Sequence, residues 1–481
     1  MANDAYQCAS SGRIFAGRVQ FAHGALLDLI AAAPAGSWIP INNNNYSAVW
    51  AHPDFRPAYN QTGHLPRKFI ESLSSIVWDD DALQFRLFGG GHASTSGEEI
   101  YSFDAITGLW ALDFHSPDVE VFYLDDASPY GTVPVSGQLT SPRSCHTYDA
   151  SVYLKNLKRY CWFGGAADPS GGPWVANGPD RVMGPFLLDI THAGKGWVSA
   201  TTGSNVQRAG TTSDGVSLPG ANAWSNRDWK LDHPNAAAFA GMGKVINGWA
   251  QYREEGGKDV VYVTSVNSGG TALNLFKITF NDLDYHNDEI EKIGTFWTGN
   301  SRSRQGGGLD TVRNIALFLG DTGGGGGTDG DILCDFWDLD NAGPSLHDQT
   351  VYQSALTGPA KAQYQAQCAG AHALDKSSFG IEWDETRGKF ALWERGGVVY
   401  HLTPPADKST TTGWYIESSG SDADPNRPLL YSEFEATTGD NGVCGKLRYS
   451  AKLDCYVTLQ NATAGIVRLF KPADWTDPRT V

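Results

Sequence analysis

The sequence predicts an all-β protein: a β-propeller of four-stranded antiparallel blades, six in number, with a seventh left open. Three observations carry that expectation. Apolar strand pairs joined by short polar turns recur along the chain. In most copies the second strand of the pair stops at glycines. A tryptophan then follows late in most copies. The composition suits many short strands with tight turns and aromatic filling: 481 residues with Gly 56, Pro 23, Trp 16 and Tyr 19.

Taken in order, residues 1–70 do not match the repeat and form an irregular N-terminal segment ahead of the propeller at 71–481. Phe15–Ile30 reads as an amphipathic strand or short helix. Gly36–Ile41 reads as a short strand ended by the polar run Asn42–Asn45, and residues 51–70, with Pro53, Pro57 and Pro66, as a surface connection. The first copy then runs from Ser75 to Asp113: Ile76-Val77-Trp78, an acidic turn at Asp79–Asp81, Leu83–Phe88, three glycines, Ile100–Phe103 and Trp110. The second is Ser151–Gly165 followed by Phe186–Trp197, and the third Trp249–Gly270 followed by Leu273–Phe280. The fourth is Asn314–Gly327 followed by Ile332–Asp340, and the fifth Phe379–Gly397 followed by Val398–Pro405 and Trp414. The sixth, Leu447–Asn461 followed by Ile466–Trp475, has lost its glycines.

The glycines have a physical reason, since the chain leaves the second strand through φ values that a Cβ resists. The late aromatics Trp110, Trp197, Trp414 and Trp475 are expected to fill the layers between sheets. One four-stranded sheet cannot bury both its faces, whereas a radial array lets each sheet cover its neighbour. Arg13–Ile41 or the long insertion Thr201–Gly248 are the two stretches from which a seventh blade would come.

The pattern of apolar strand, Gly-Gly, Tyr/Phe-Asp strand and tryptophan resembles the kelch repeat. Phe88-Gly89-Gly90 with Tyr101, Asp104 and Trp110 matches it, as does Phe163-Gly164-Gly165 with Asp189 and Trp197. The resemblance covers roughly residues 70 to 475 and implies a propeller like the galactose-oxidase central domain and similar kelch proteins of bacteria and phages. Such rings close by pairing strands from both termini, and Trp38–Ile41 is the candidate closing strand.

Charge and cysteine usage bound the partners. Lys+Arg 36 against Asp+Glu 53 gives −17, which repels phosphate backbones, so no nucleic-acid partner is expected. No run of 18 apolar residues spans a membrane, and the apolar stretch Ala25–Ala33 is interrupted by Asp28, so it does not read as a secretory signal. The seven cysteines show no CxxC pair. Cys145/Cys161 and Cys444/Cys455 read as neighbours on hairpins; buried thiols are preferred, with cross-strand bridges left open.

For ligand binding, the loops between second and third strands share a channel mouth with the approach to the first strand. This puts His92, Arg143, His146, Arg302, Arg304 and His372 on one rim, decorated by insertions carrying Trp174, Trp224, Arg227 and Trp229. Aromatics beside Arg would suit a glycan or a protein, although closing the channel is the plainer role for such residues. No catalytic residue is singled out. Under the resemblance, the dipeptides Tyr285-His286 and Tyr400-His401 are the places to look for a copper site, but neighbours on a strand point to opposite faces. Asp321, Asp329 and Asp331 on a glycine-rich stretch are a calcium candidate, for which a solvated loop is the preferred reading. No Asp box is present and no carboxylate pair stands out for glycoside cleavage.

The expected function is therefore a non-enzymatic binding or structural propeller without a cofactor. It would be a phage virion component, a tail or capsid appendage in a larger assembly, contacting virion proteins or a cell-surface glycan and docked through residues 1–70. A galactose-oxidase-like copper-radical oxidase and an intracellular kelch scaffold of the bacterial cytoplasm stand as alternatives.

Overall fold

The computed structural model describes residues 23–52, 65–91, 97–116, 144–167, 185–201, 248–266, 272–298, 303–321, 332–341, 349–368, 379–430 and 443–480, short stretches between 210 and 247, and the single residues Pro142 and Glu433. Six four-stranded blades surround a central axis. Their innermost strands are Ser75–Asp79, Ser151–Leu154, Ala250–Glu255, Ser303–Asp310, Gly380–Asp384 and Leu447–Ser450, in blades I to VI. In blades I, III, IV and V the four strands follow one another in chain order, inner to outer.

The other two blades borrow their outer strands. Ser37–Pro40 pairs antiparallel with Ile466–Lys471, placing Ser37 opposite Lys471, so a strand near the N-terminus completes blade VI and closes the ring. The outer strand of blade II is Gly220–Asn226, from the long insertion. Between it and the outer strand of blade I (Leu109–His115) lies Trp197–Thr201, parallel to both, which fuses the two blades into one sheet of nine strands. Both stretches from which a seventh blade was considered thus serve the six. Trp197 packs against the edge of the I–II cluster. It lies half-buried on the linking strand, stacked on His192 at 4.9 Å.

Each gap between neighbouring blades holds its own apolar cluster. Trp110 fills the VI–I gap and Trp414 the IV–V gap. Trp38 fills the V–VI gap, with its ring 5.4 Å from Trp393 and 4.8 Å from Phe470 and its Nε1 donating to Gly397 O. Residues 23–32 form a helix whose Leu26, Leu27 and Ile30 are buried in the VI–I cluster, so this part of the N-terminal segment belongs to the propeller's body.

Two local devices set the hairpins that join first and second strands. An aspartate at the end of the first strand accepts from backbone N–H groups of the turn: Asp79 from Asp81 and Ala82, Asp310 from Val312 and Arg313, Asp384 from Arg387. The turn then ends on a residue with positive φ, namely Leu83, Lys158, Asn314, Gly388 or Asp454. The glycines after the second strand are needed twice over. Gly89 and Gly165 have φ of 128° and 147°, and a Cβ would lie 2.7 Å from Cys145 O and 1.8 Å from His146 O.

Neither cysteine pair lies on neighbouring hairpin strands, as the spacing had suggested. Cys161 sits opposite Val152 and Cys455 opposite Ser450, and both are buried free thiols, with burial pushing their pKa up. Cys145 belongs instead to a two-residue strand paired with Ala166–Ala167, and Cys444 to a 3-10 turn, Cys444–Lys446.

Candidate functional site

The six inner strands can be aligned by their hairpins. One position carries Trp78, Tyr153, Tyr252, Leu309, Trp383 and Tyr449, which face Phe85, Tyr160, Val261, Ala316, Phe390 and Tyr456 on the second strands. The residue before it is Val77, Val152, Gln251, Gly308, Glu382 or Arg448. All of these except Gly308 line one axial funnel of about 220 Å³, joined by Asp80, Lys155, Thr311, Glu385 and Ala451 from the hairpin turns. Aromatic rings come from five of the six blades. Three of their polar tips are tied: Tyr252 and Tyr449 donate to Asp259 and Asp454, and Trp78 Nε1 donates to Asp80. The ring bodies are thereby held in place on the wall.

One position deeper the wall is lopsided. Blades I and II present Val77 and Val152, whereas blades III, V and VI present Gln251, Glu382 and Arg448. Arg448 is the hub. Its Nη2 donates to Asp149 at 2.7 Å, its Nη1 to Glu382 at 3.2 Å, and its Nε to Ile76 O at 3.2 Å. Asp149 also accepts from Gly307 N at 3.2 Å, and Gln251 Nε2 donates to Gly307 O at 2.7 Å. The network therefore touches all six blades. Asp149 is fully buried, while the Glu382 side chain keeps 17% of its surface exposed and so reaches the funnel. Burial pushes the Glu382 carboxyl up to about 7, with Arg448 opposing the shift and Asp149 adding to it. Burial also raises Asp149, against the pull of Arg448.

Two of the residues expected on a rim, Trp224 and Arg227, lie elsewhere. Trp224 is fully buried in the I–II gap, 5.4 Å from the Phe88 ring and 5.5 Å from that of Trp162. Arg227 is buried too, donating to Leu283 O and Asp282 O and standing 3.6 Å from the Asp288 carboxylate. A polar insertion looks exposed in sequence, but here it supplies a blade strand and its anchors. His146 is buried at the end of the channel opposite the funnel, its ring edge-on to Tyr148 at 5.8 Å. Arg304 lies on the strand Ser303–Asp310, and Asp321 ends the strand Ile315–Asp321. His92, Arg143, Trp174, Arg302, His372, Asp329 and Asp331 lie outside the described residues. The described funnel opens at the other end of the channel, among the hairpins joining first and second strands.

The two Tyr-His dipeptides do not converge. Tyr285-His286 forms a 3-10 turn of blade III, whereas Tyr400 and His401 lie on the third strand of blade V, where Tyr400 donates to Gln367 and His401 meets Ser419. Among the described residues no group of three or more His, Cys, Asp or Glu is placed to hold a metal ion, and no helix is long and apolar enough to cross a membrane.

Sequence reasoning missed Gln251, Glu382, Arg448 and Asp149. The signal was present in the aligned inner strands, where three copies carry a polar residue at a position that two others fill with valine.

No family model and no curated protein matches the chain, so the kelch pattern stands as a resemblance. Among solved structures, the chain is similar to the GH93 α-L-arabinofuranosidase of Fusarium graminearum in complex with arabinobiose (8% identity, 91% of this chain and 98% of that one, TM-score 0.41). It is also similar to the Penicillium chrysogenum α-L-arabinanase complexed with arabinobiose (9% identity, 84% and 98%, TM-score 0.38). A third is a putative 6-phosphogluconolactonase from Bacteroides uniformis (11% identity, 82% of each chain, TM-score 0.33). At such identities the likeness speaks to the fold. The expectation of a non-enzymatic virion appendage has no counterpart among them, the first two being named as an α-L-arabinofuranosidase and an α-L-arabinanase, and it is withdrawn.

Proposed function

We propose that the chain is a carbohydrate-active propeller that binds a saccharide in the axial funnel and cleaves a glycosidic bond with Glu382 as the proton donor. The observation that carries this reading is a single one: a carboxyl at the floor of a funnel walled by aromatic rings. A sugar has apolar C–H faces and a polar edge. Rings of Trp78, Tyr153, Tyr252, Trp383 and Tyr449 suit the former, and Gln251, Glu382 and Arg448 suit the latter. A carboxyl whose pKa stands at about 7 is still protonated in a large fraction near neutral pH, as an acid that must give its proton to a leaving oxygen requires. Two-carboxylate cleavage also needs an ionised carboxylate that activates water or attacks the anomeric carbon, and Asp80 and Glu385 are the other carboxylates on the wall. Kelch ancestry of the blades is likewise our reading, supported by the Gly-Gly stops and Trp110.

The test is a panel of aryl pentosides and hexosides together with calorimetric titration of the free sugars. The wild type is expected to bind and cleave members of the panel. Glu382→Gln should lower kcat by about 100-fold or more, the usual weight of a general acid, while still binding the sugar. A wild-type protein that neither binds nor cleaves any saccharide removes the reading.

A further inference from the structure

We propose that Asp149 is a positioning residue: by holding one edge of the Arg448 guanidinium, it leaves Glu382 as the member of the trio that takes up and releases a proton. The inference rests on the reading of Glu382 as the acid, but it can be tested without any substrate.

The argument is one of charge and geometry. Two carboxyl groups share one guanidinium away from bulk water, and with both ionised the trio carries a net negative charge whose burial is costly. Such a cluster lowers its energy by binding one proton, and the contacts decide where it resides. Asp149 has a donor for each oxygen, Arg448 Nη2 at 2.7 Å and Gly307 N at 3.2 Å, and both favour the ionised form. Glu382 has the single longer contact to Arg448 Nη1, at 3.2 Å, and opens onto the funnel. A proton on Glu382 thus forfeits less, and it has a path to a ligand.

Arg448 cannot swing to serve Glu382 alone. Its Nε is tied to Ile76 O of blade I and its Nη1 also to Leu447 O at 3.3 Å. Gly445 closes the far side: a Cβ there would stand 2.7 Å from Asp149 Oδ1 and 2.9 Å from Arg448 Nη2. The remaining charged groups on the funnel are Asp80 of blade I, Lys155 of blade II and Glu385 of blade V, all on the hairpin turns nearer the mouth.

Infrared difference spectra taken across a pH titration of the full chain test the assignment. The wild type is expected to show a protonated-carboxyl band that disappears around neutral pH. One component should shift on 13C labelling of glutamate and be missing in Glu382→Gln, beside an aspartate-borne component from Asp288, which burial also raises to about 7 and which stays in that variant. In Asp149→Asn the midpoint of the glutamate-borne component should fall by about 1–2 pH units, because a like charge is gone and the guanidinium then serves one carboxylate. The lack of any glutamate-borne component in that range, a glutamate-borne component that survives in Glu382→Gln, or a midpoint unmoved in Asp149→Asn overturns the proposal. If Asp149→Asn does not fold, Gly307→Ala, which disturbs the Gly307 N–H donor to Asp149, supplies the second reading of the midpoint. Failure to cleave any saccharide would leave these spectra readable, and cleavage with a midpoint unmoved in Asp149→Asn would sink the positioning role alone.

Discussion

The gaps between blades and the floor of the funnel are built from the same six inner strands, one residue apart. Trp78, Tyr153, Tyr252, Leu309, Trp383 and Tyr449 each enter the gap on one side of their blade, and five of the six are aromatic. The preceding residues turn to the other side and run Val, Val, Gln, Gly, Glu, Arg. Repetition serves stability, because every gap poses the same filling problem. Departure from the repeat marks a place where a single ring needs unlike groups around its axis, which is where chemistry belongs.

That contrast can be broken from either side. The largest effect is expected at Trp38, a gap residue that also closes the ring. Trp38→Ala should cost about 3–5 kcal/mol in denaturant unfolding, since it empties a buried site and loses the Gly397 hydrogen bond. A loss below about 1 kcal/mol would mean that the closing strand contributes little. Gly307 belongs to both regions. Its Cβ would lie 2.5 Å from the Trp249 ring, and its N–H serves Asp149. Gly307→Ala should therefore cost about 1–3 kcal/mol, and it should also move the midpoint of the Glu382 titration; unchanged unfolding would show that Trp249 yields freely.

A third effect separates the floor from the gaps by pH. The Glu382 carboxyl is raised from 4.5 to about 7, so the folded chain holds a proton that the unfolded chain releases in that interval. Its contribution is complete below pH 4.5 and is lost as pH rises through 7, a change on the order of 3 kcal/mol. Asp288, raised to about 7 by burial beside Arg227, acts with the same sign. Unfolding free energies at pH 5, 6, 7 and 8 should fall less steeply for Glu382→Gln than for wild type, with the Asp288 share remaining. Identical slopes would assign the whole dependence to groups other than Glu382.

Much of the fold was legible in the sequence, and for local reasons. Alternating apolar strands, aspartates that cap the hairpins and glycines that leave the second strand are each written within a few residues, and the structure uses them so. Blade II was harder to read. Its outer strand, Gly220–Asn226, comes after Trp197–Thr201 in the chain, yet it takes the place beside the third strand, and no local pattern announces that exchange. The rim was misread for a related reason. Trp224 and Arg227 sit in a polar insertion, and only the assembled molecule shows the apolar gap and the carbonyl groups that receive them.

The sequence by itself determined the strands, their turns and the need for neighbouring sheets to cover them. Which residues meet on the axis was decided by the tertiary structure alone. Arg448 lies 66 positions from Glu382 and 299 from Asp149 along the chain, and nothing within any one blade relates the three. Closing the ring sets each inner strand beside the axis, and a guanidinium that would be an ordinary solvated side chain on an isolated hairpin becomes a cation shared by one buried and one half-buried carboxyl group.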